Sequence, residues 1–136
     1  MIYLDASVVV PIIIVESTSF QVDAWLATRP DICLSQWTVS EVTSALSHHL
    51  RTGRLKPESR VAAETMLDHW VSLNTVVEID DEDIVGARAL LRFDPSLRTP
   101  DALHLAITSR LAGGLATYDR RLATAARAIG VEVISP

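Results

Sequence analysis

Short apolar, β-prone runs alternate along this chain with stretches whose apolar residues recur every three or four positions. Met1-Ile2-Tyr3-Leu4 is the first run and ends at Asp5; Ile32–Ser35, Val76–Ile79, Leu115–Thr117 and Val131–Ile134 are the others. Helices are expected between them. Ser17–Thr28 carries Phe20, Ala24 and Leu26 among polar residues, with Pro30 just past its end. Thr38–Arg51 places Val39, Val42, Ala45, Leu46 and Leu50 at helical spacing, and Gly53 stops it. Pro57-Glu58 opens a helix to about Leu73, because proline suits a first helical position. Asp81–Leu91 has acids in its first turn and Arg88 and Arg92 near its end, as the helix dipole prefers. A loop over Phe93–Thr99, with Asp94-Pro95 as its turn, leads into an apolar helix over Pro100–Ala112 closed by Gly113-Gly114; Asp119–Ile129 is the last helix.

Val8–Val15 is the ambiguous stretch. Its β-branched residues favour a strand, Pro11 excludes a central one, and Ser7 is placed to cap a short helix. A short helix of poor intrinsic propensity is expected there. The alternation as a whole predicts an α/β fold: one domain over residues 1–136, a small central parallel sheet flanked by helices on both faces, with right-handed crossovers.

Composition narrows the function. At 136 residues and 49% hydrophobic, the chain suits one domain with a real core. No run is long enough to span a bilayer, so no membrane association and a cytoplasmic location are expected. Cys33, the single cysteine, excludes an internal disulfide framework and a thiolate metal cluster, and is expected to be buried. The net charge of −5, with one lysine and eleven arginines, argues against a broad basic nucleic-acid surface. It leaves room for an enzyme that meets a few phosphates through arginine, and for a basic protein partner.

The predicted topology gives the acids a common address. In a parallel α/β sheet, strand C-termini and the starts of the following helices share one edge, where such folds bind ligands. Asp5 ends the first strand, Glu41 falls in the first turn after the second, Asp101 follows Pro100, and Asp119 opens the last helix. Each has a bland explanation as a cap or dipole partner, a stabilisation of roughly 0.5–2 kcal/mol. Together they repel one another, and a hard divalent cation is the usual remedy. Carboxylates with hydroxyls from Ser7 and Thr117 are oxygen donors, which select Mg²⁺ or Mn²⁺ over Zn²⁺. The histidines make no site: His48 and His49 are adjacent, His69 is alone, and His104, one turn after Asp101, is either a buried residue or a partner holding Asp101. The contiguous Asp80-Asp81-Glu82-Asp83 is expected to be a solvated helix start, and Trp25, Trp37 and Trp70 either core residues or the lining of a partner groove.

Four segments together carry a family resemblance. Ile2-Tyr3-Leu4-Asp5-Ala6-Ser7, Val39–Leu46 around Glu41, Leu97–Ala106 around Asp101 and Leu115–Leu122 around Asp119 resemble the PIN-domain nucleases, in order and over nearly the whole chain. The segment around Asp101 is the most specific. Size and the lack of extra domains look most like the VapC-type toxins of bacterial toxin–antitoxin pairs. The resemblance implies a Mg²⁺- or Mn²⁺-dependent endoribonuclease with Asp5, Glu41, Asp101 and Asp119 as metal ligands, supported by Ser7 and Thr117. It implies hydrolysis of RNA by metal-activated water, leaving 5′-phosphate and 3′-hydroxyl ends. It also implies a homodimer and a cognate antitoxin whose tail lies across the site. Arg98 and Arg120 are candidate phosphate contacts.

Two rivals stand beside this expectation. A haloacid-dehalogenase-type phosphotransferase would use Asp5 as nucleophile, but it wants a second acid where Ser7 stands, and Lys56 sits in a helix–helix loop. A catalytically silent module would use the acids to receive a basic peptide.

Overall fold

The computed structural model describes residues 1–29 and 31–136; Pro30, expected just beyond the second helix, lies outside the described residues. Strand β1 (Ile2–Leu4) is the middle of a five-stranded parallel sheet and is buried on both faces. Helices α1 (Ala6–Ile13) and α2 (Ser19–Leu26) lead to β2 (Ile32–Ser35), and α3 (Gln36–Arg51) and α4 (Pro57–Ser72) lead to β3 (Thr75–Val77). Helices α5 (Asp81–Phe93) and α6 (Thr99–Arg110) carry the chain back to β4 (Gly114–Ala116), and α7 (Arg120–Ala128) leads to β5 (Val133–Ile134).

The sheet order is β3-β2-β1-β4-β5. Tyr3 pairs with Cys33 on one side and Leu115 on the other. The chain thus leaves β1 in one direction and β4 in the other, so the β1/β4 boundary is the switch point where doubly wound sheets open a crevice. Period-two alternation divides the core. Ile2, Leu4 and Ala116 face the α1–α4 layer, while Tyr3, Cys33 and Leu115 face α5–α7. Gly113 permits the close approach of β4 to β1, since a Cβ there would stand 2.3 Å from the Met1 carbonyl oxygen.

Several boundaries depart from expectation. The expected helix over Val8–Val15 begins earlier, at Ala6, and holds Pro11 inside it. Its cap is Asp5, not Ser7: Asp5 Oδ1 accepts from the Val8 amide at 3.3 Å. Poor propensity costs up to about 0.7 kcal/mol for each β-branched residue and about 3 kcal/mol for Pro11, whereas burying a valine or isoleucine side chain returns roughly 1.5–3 kcal/mol, and Val8, Val9, Val10 and Ile13 are all buried. Burial wins. Helix α3 starts two residues before the expected Thr38, because Ser35 caps it by accepting from the Thr38 amide. Glu41 therefore lies in the second turn, and the cap explanation for it lapses.

The acidic run is not simply solvated either. Asp80 and Asp83 form a reciprocal capping box, and Asp83 is 1% exposed, gripped by Arg110 through bonds of 2.8 and 2.9 Å. Trp25 and Trp70 pack against one half of the core and Trp37 against the other, as core residues would. Cys33 is buried and free, as expected.

Candidate active site at the switch point

Strand β1 is too short to bury more than three residues, and Asp5 follows at once, 4% exposed. Its carboxylate sits in a cradle of neutral donors. Ser7 Oγ donates to Oδ1 and Thr117 Oγ1 to Oδ2, each at 2.6 Å. Each hydroxyl has one proton and both are spent on Asp5, so the 3.4 Å approach of Ser7 Oγ to Thr117 Oγ1 is a contact rather than a bond. The two oxygens accept instead from backbone amides: Tyr118 N–H to Ser7 at 2.8 Å, and Asp119 N–H to Thr117 at 2.9 Å. Residues from β1, α1 and the segment after β4 are thereby locked across the switch point. Among the described residues no basic side chain pairs with Asp5. Burial pushes its carboxyl above the ordinary carboxylate range, against the pull of the Ser7 and Thr117 hydroxyls and of the charge His104 can carry.

The other three expected acids each keep one oxygen back. Asp119 caps α7, Oδ1 accepting from the Arg121 and Leu122 amides at 2.7 and 3.1 Å. Asp101 turns back on the start of α6, Oδ2 accepting from the Arg98 amide at 3.4 Å. Glu41 Oε2 is held by His104 Nε2 at 2.5 Å. Asp119 Oδ2, Asp101 Oδ1 and Glu41 Oε1 accept no hydrogen bond from the described residues. Among those residues, no three His, Cys, Asp or Glu side chains stand close enough together to be a ready-made metal cage. By chemistry the donor set fits a hard cation: carboxylate and hydroxyl oxygens, with the buried Asp5 making no ion pair among the described residues.

Arg98 and Arg120 are both exposed, with no acidic partner among the described residues. Arg120 lines a groove of about 360 Å³ together with Asp101, Leu97 and Thr124, and Arg121 closes one side by donating to the Ser96 carbonyl at 3.2 Å. A positive group thus stands beside Asp101.

His104 was missed by sequence reasoning as a partner of Glu41. It does not hold Asp101, one turn away on the same helix; it is 2% exposed and reaches across to α3. Its Nδ1 lies 3.1 Å from the Tyr3 hydroxyl, which also meets Ser35 Oγ at 2.7 Å and Thr38 Oγ1 at 3.1 Å. Burial pushes the Tyr3 phenol up to about 12, so it remains a protonated donor. The available signal was a tyrosine in the central strand and a histidine in the most apolar helix, both needing partners.

The PIN domain family matches residues 2–128. The Mycobacterium tuberculosis proteins named ribonuclease VapC46 and ribonuclease VapC35 are 36% identical over 138 residues and 34% identical over 143. The alignments cover 99% and 100% of this chain and 97% of each relative. Among solved structures, FitAcB from Neisseria gonorrhoeae superimposes with a TM-score of 0.78 at 21% identity, over 100% of this chain and 98% of that one. The chain therefore belongs to the PIN-domain family, on an α/β fold with a five-stranded parallel sheet. Within that family its full-length likeness is to the VapC ribonucleases.

Proposed function

We propose that the protein is a Mg²⁺- or Mn²⁺-dependent endoribonuclease, the toxin of a toxin–antitoxin pair. The observation that carries this reading is Asp5: a buried carboxylate at the switch point, held by neutral hydroxyls and an amide and making no side-chain ion pair among the described residues. Asp5, Asp101 and Asp119, with Glu41, would hold the cation. When bound, it supplies a Lewis acid that lowers the pKa of water and neutralises charge on the phosphodiester. The chain's own residues do the rest. Ser7 and Thr117 hold both Asp5 oxygens in one orientation, and the amides of Tyr118 and Asp119 keep those hydroxyls turned toward it. Arg98 and Arg120 are the phosphate contacts, and the groove beside Asp101 receives the strand next to the scissile bond.

Partners are supported by the surface and by the relatives. Val15 and Met66 are exposed in a shallow depression that Ile13, Ile14 and Leu55 also line, and Phe20 on α2 and Val61 on α4 are exposed as well. That surface suits an amphipathic antitoxin segment. A structurally similar chain, with a TM-score of 0.72 at 18% identity over 100% of this chain and 98% of its own length, comes from a "Toxin-antitoxin complex from Klebsiella pneumoniae". A homodimer is part of the same proposal. No helix among the described residues is long and apolar enough to cross a membrane.

The test is to sequence the ends of RNAs cut on induced expression, beside an Asp101→Ala control, and to repeat the cleavage with purified protein in Mg²⁺ and in EDTA. Discrete 5′-phosphate ends that vanish in both controls are expected. Equal cleavage with and without EDTA would sink the reading. Binding of a partner without binding of Mn²⁺ by calorimetry would favour the silent-module alternative, in which the acids receive a basic peptide.

A further inference from the structure

Glu41 and His104 come from opposite sides of the sheet. Glu41 stands on α3, whose Val42 and Leu46 belong to the α1–α4 half of the core, and His104 on α6, in the other half. Their bond at the C-terminal edge of the strands is the shortest side-chain link between the two layers at the proposed site. A carboxylate can only accept, so Nε2 carries its proton whether the ring is neutral or charged. The ring is fixed from its far side as well. Thr38 Oγ1 spends its proton on the Leu4 carbonyl at 3.0 Å, and can act toward Tyr3 only as an acceptor. Ser35 is then the hydroxyl that donates to Tyr3, and the Tyr3 proton is left to choose between Thr38 Oγ1 and the imidazole nitrogen, the better acceptor. The neutral-ring order is Ser35 to Tyr3 to His104 to Glu41, anchored in β2, β1, α6 and α3.

We propose that His104 is the positioning residue for Glu41: it pins Oε2 and leaves Oε1 as the oxygen offered to the site, with Tyr3 setting the plane of the ring. The inference rests on the proposed metal-dependent reading. It goes beyond it in naming what aims a glutamate whose side chain is about one quarter exposed, at 26%. A glutamate in the second turn of a helix has no amide of its own to hold it. Without His104 its rotamers are free, and a metal ligand that must first be ordered binds more weakly.

The experiment measures Mn²⁺ affinity of the metal-free protein by calorimetry, alongside kcat and KM for RNA and unfolding by urea. It compares the wild type with His104→Leu, His104→Gln and Tyr3→Phe. Glutamine places an amide N–H where Nε2 stood; leucine fills the space without a donor. His104→Leu is expected to weaken Mn²⁺ binding by about ten- to a hundredfold and to lower kcat with little change in KM, in the range typical of groups that hold a ligand. His104→Gln should recover most of both, and Tyr3→Phe should fall between. A folded leucine variant that binds Mn²⁺ as the wild type does overturns the inference, as does a glutamine variant no better than leucine. If His104→Leu does not fold, wild-type Mn²⁺ affinity in Tyr3→Phe overturns it. A wild type that neither binds Mn²⁺ nor needs it for cleavage would instead remove the proposed function beneath it.

Discussion

Asp5 and Asp83 are both aspartates at a helix start and both almost wholly buried, at 4% and 1% exposure. The fold treats their charges in opposite ways. Asp83 has a dedicated cation: Arg110 binds both its oxygens and also donates to the Glu78 carbonyl at 2.8 Å, tying α6 to α5 and to the end of β3. Burial pushes the Asp83 carboxyl up, but the bonds and charge of Arg110 outweigh that and hold it below the usual range. Asp5 has two hydroxyls and an amide, and burial leaves its carboxyl raised. One charge is neutralised by an ion pair inside the chain; the other makes no such pair among the described residues. Structural carboxylates resemble the first case, and sites that recruit a cation resemble the second.

That contrast can be broken from either end. The largest effect is expected at the structural end. Arg110→Met strands a buried carboxylate, and urea unfolding should show a loss of about 3 kcal/mol, the low end for a broken buried pair because Arg110 is partly exposed. RNA cleavage per folded molecule should be retained.

Asp5→Asn should behave in the opposite sense. Asparagine caps a helix as well as aspartate, and the Ser7 and Thr117 hydroxyls can rotate to suit it. Metal-free stability should not fall, while cleavage should drop by about a hundredfold or more, since several kcal/mol of charge stabilisation depends on the cation. A stable variant that still cuts RNA in Mg²⁺ would place the chemistry elsewhere.

A smaller effect follows from linkage. At a Mn²⁺ concentration about tenfold above its Kd, the wild type should gain about 1.4 kcal/mol in unfolding free energy. Asp5→Asn should gain much less, and Arg110→Met as much as the wild type. Equal gains in all three would show that Mn²⁺ binds away from the switch point.

The subtlest contrast is in pH. A raised native pKa means that the folded protein holds its proton longer than the unfolded chain does. The contribution of Asp5 is therefore fully present below the unfolded carboxylate pKa and is lost as pH rises through its raised native value. Asp83 runs the other way: its contribution is present above the unfolded pKa and lost as pH falls through its depressed native value. In EDTA, Asp5→Asn should gain on the wild type as pH climbs out of the carboxylate range. The two curves should converge below it.

Much of the placement of the candidate site residues was legible because it depends on sequence order more than on packing. A strand that ends in an acid delivers it to the C-terminal edge of the sheet, and the start of a helix that runs back to a following parallel strand lies at that same edge. Asp5, Asp101 and Asp119 stand at such positions here. The pairing of His104 with Glu41 was not legible, because the two are 63 residues apart and lie in different layers. Nor was the grip of Arg110 on Asp83. Spacing within one helix suggested that His104 would serve Asp101, and contiguity suggested that Asp80–Asp83 would be solvated; contacts between layers decided otherwise.

The chain by itself determined the alternation of strands and helices, the parallel sheet and the oxygen chemistry of its edge. Those follow from local periodicity and from the geometry that all parallel sheets share. Tertiary structure decided which carboxylates kept a protein partner. Burial energy held Val8–Val10 in a helix against their propensity and so made Asp5 a cap, while charge-assisted hydrogen bonds across the layer shut Arg110 against Asp83. A charge becomes available or spent according to what packs beside it, and no local pattern encodes that.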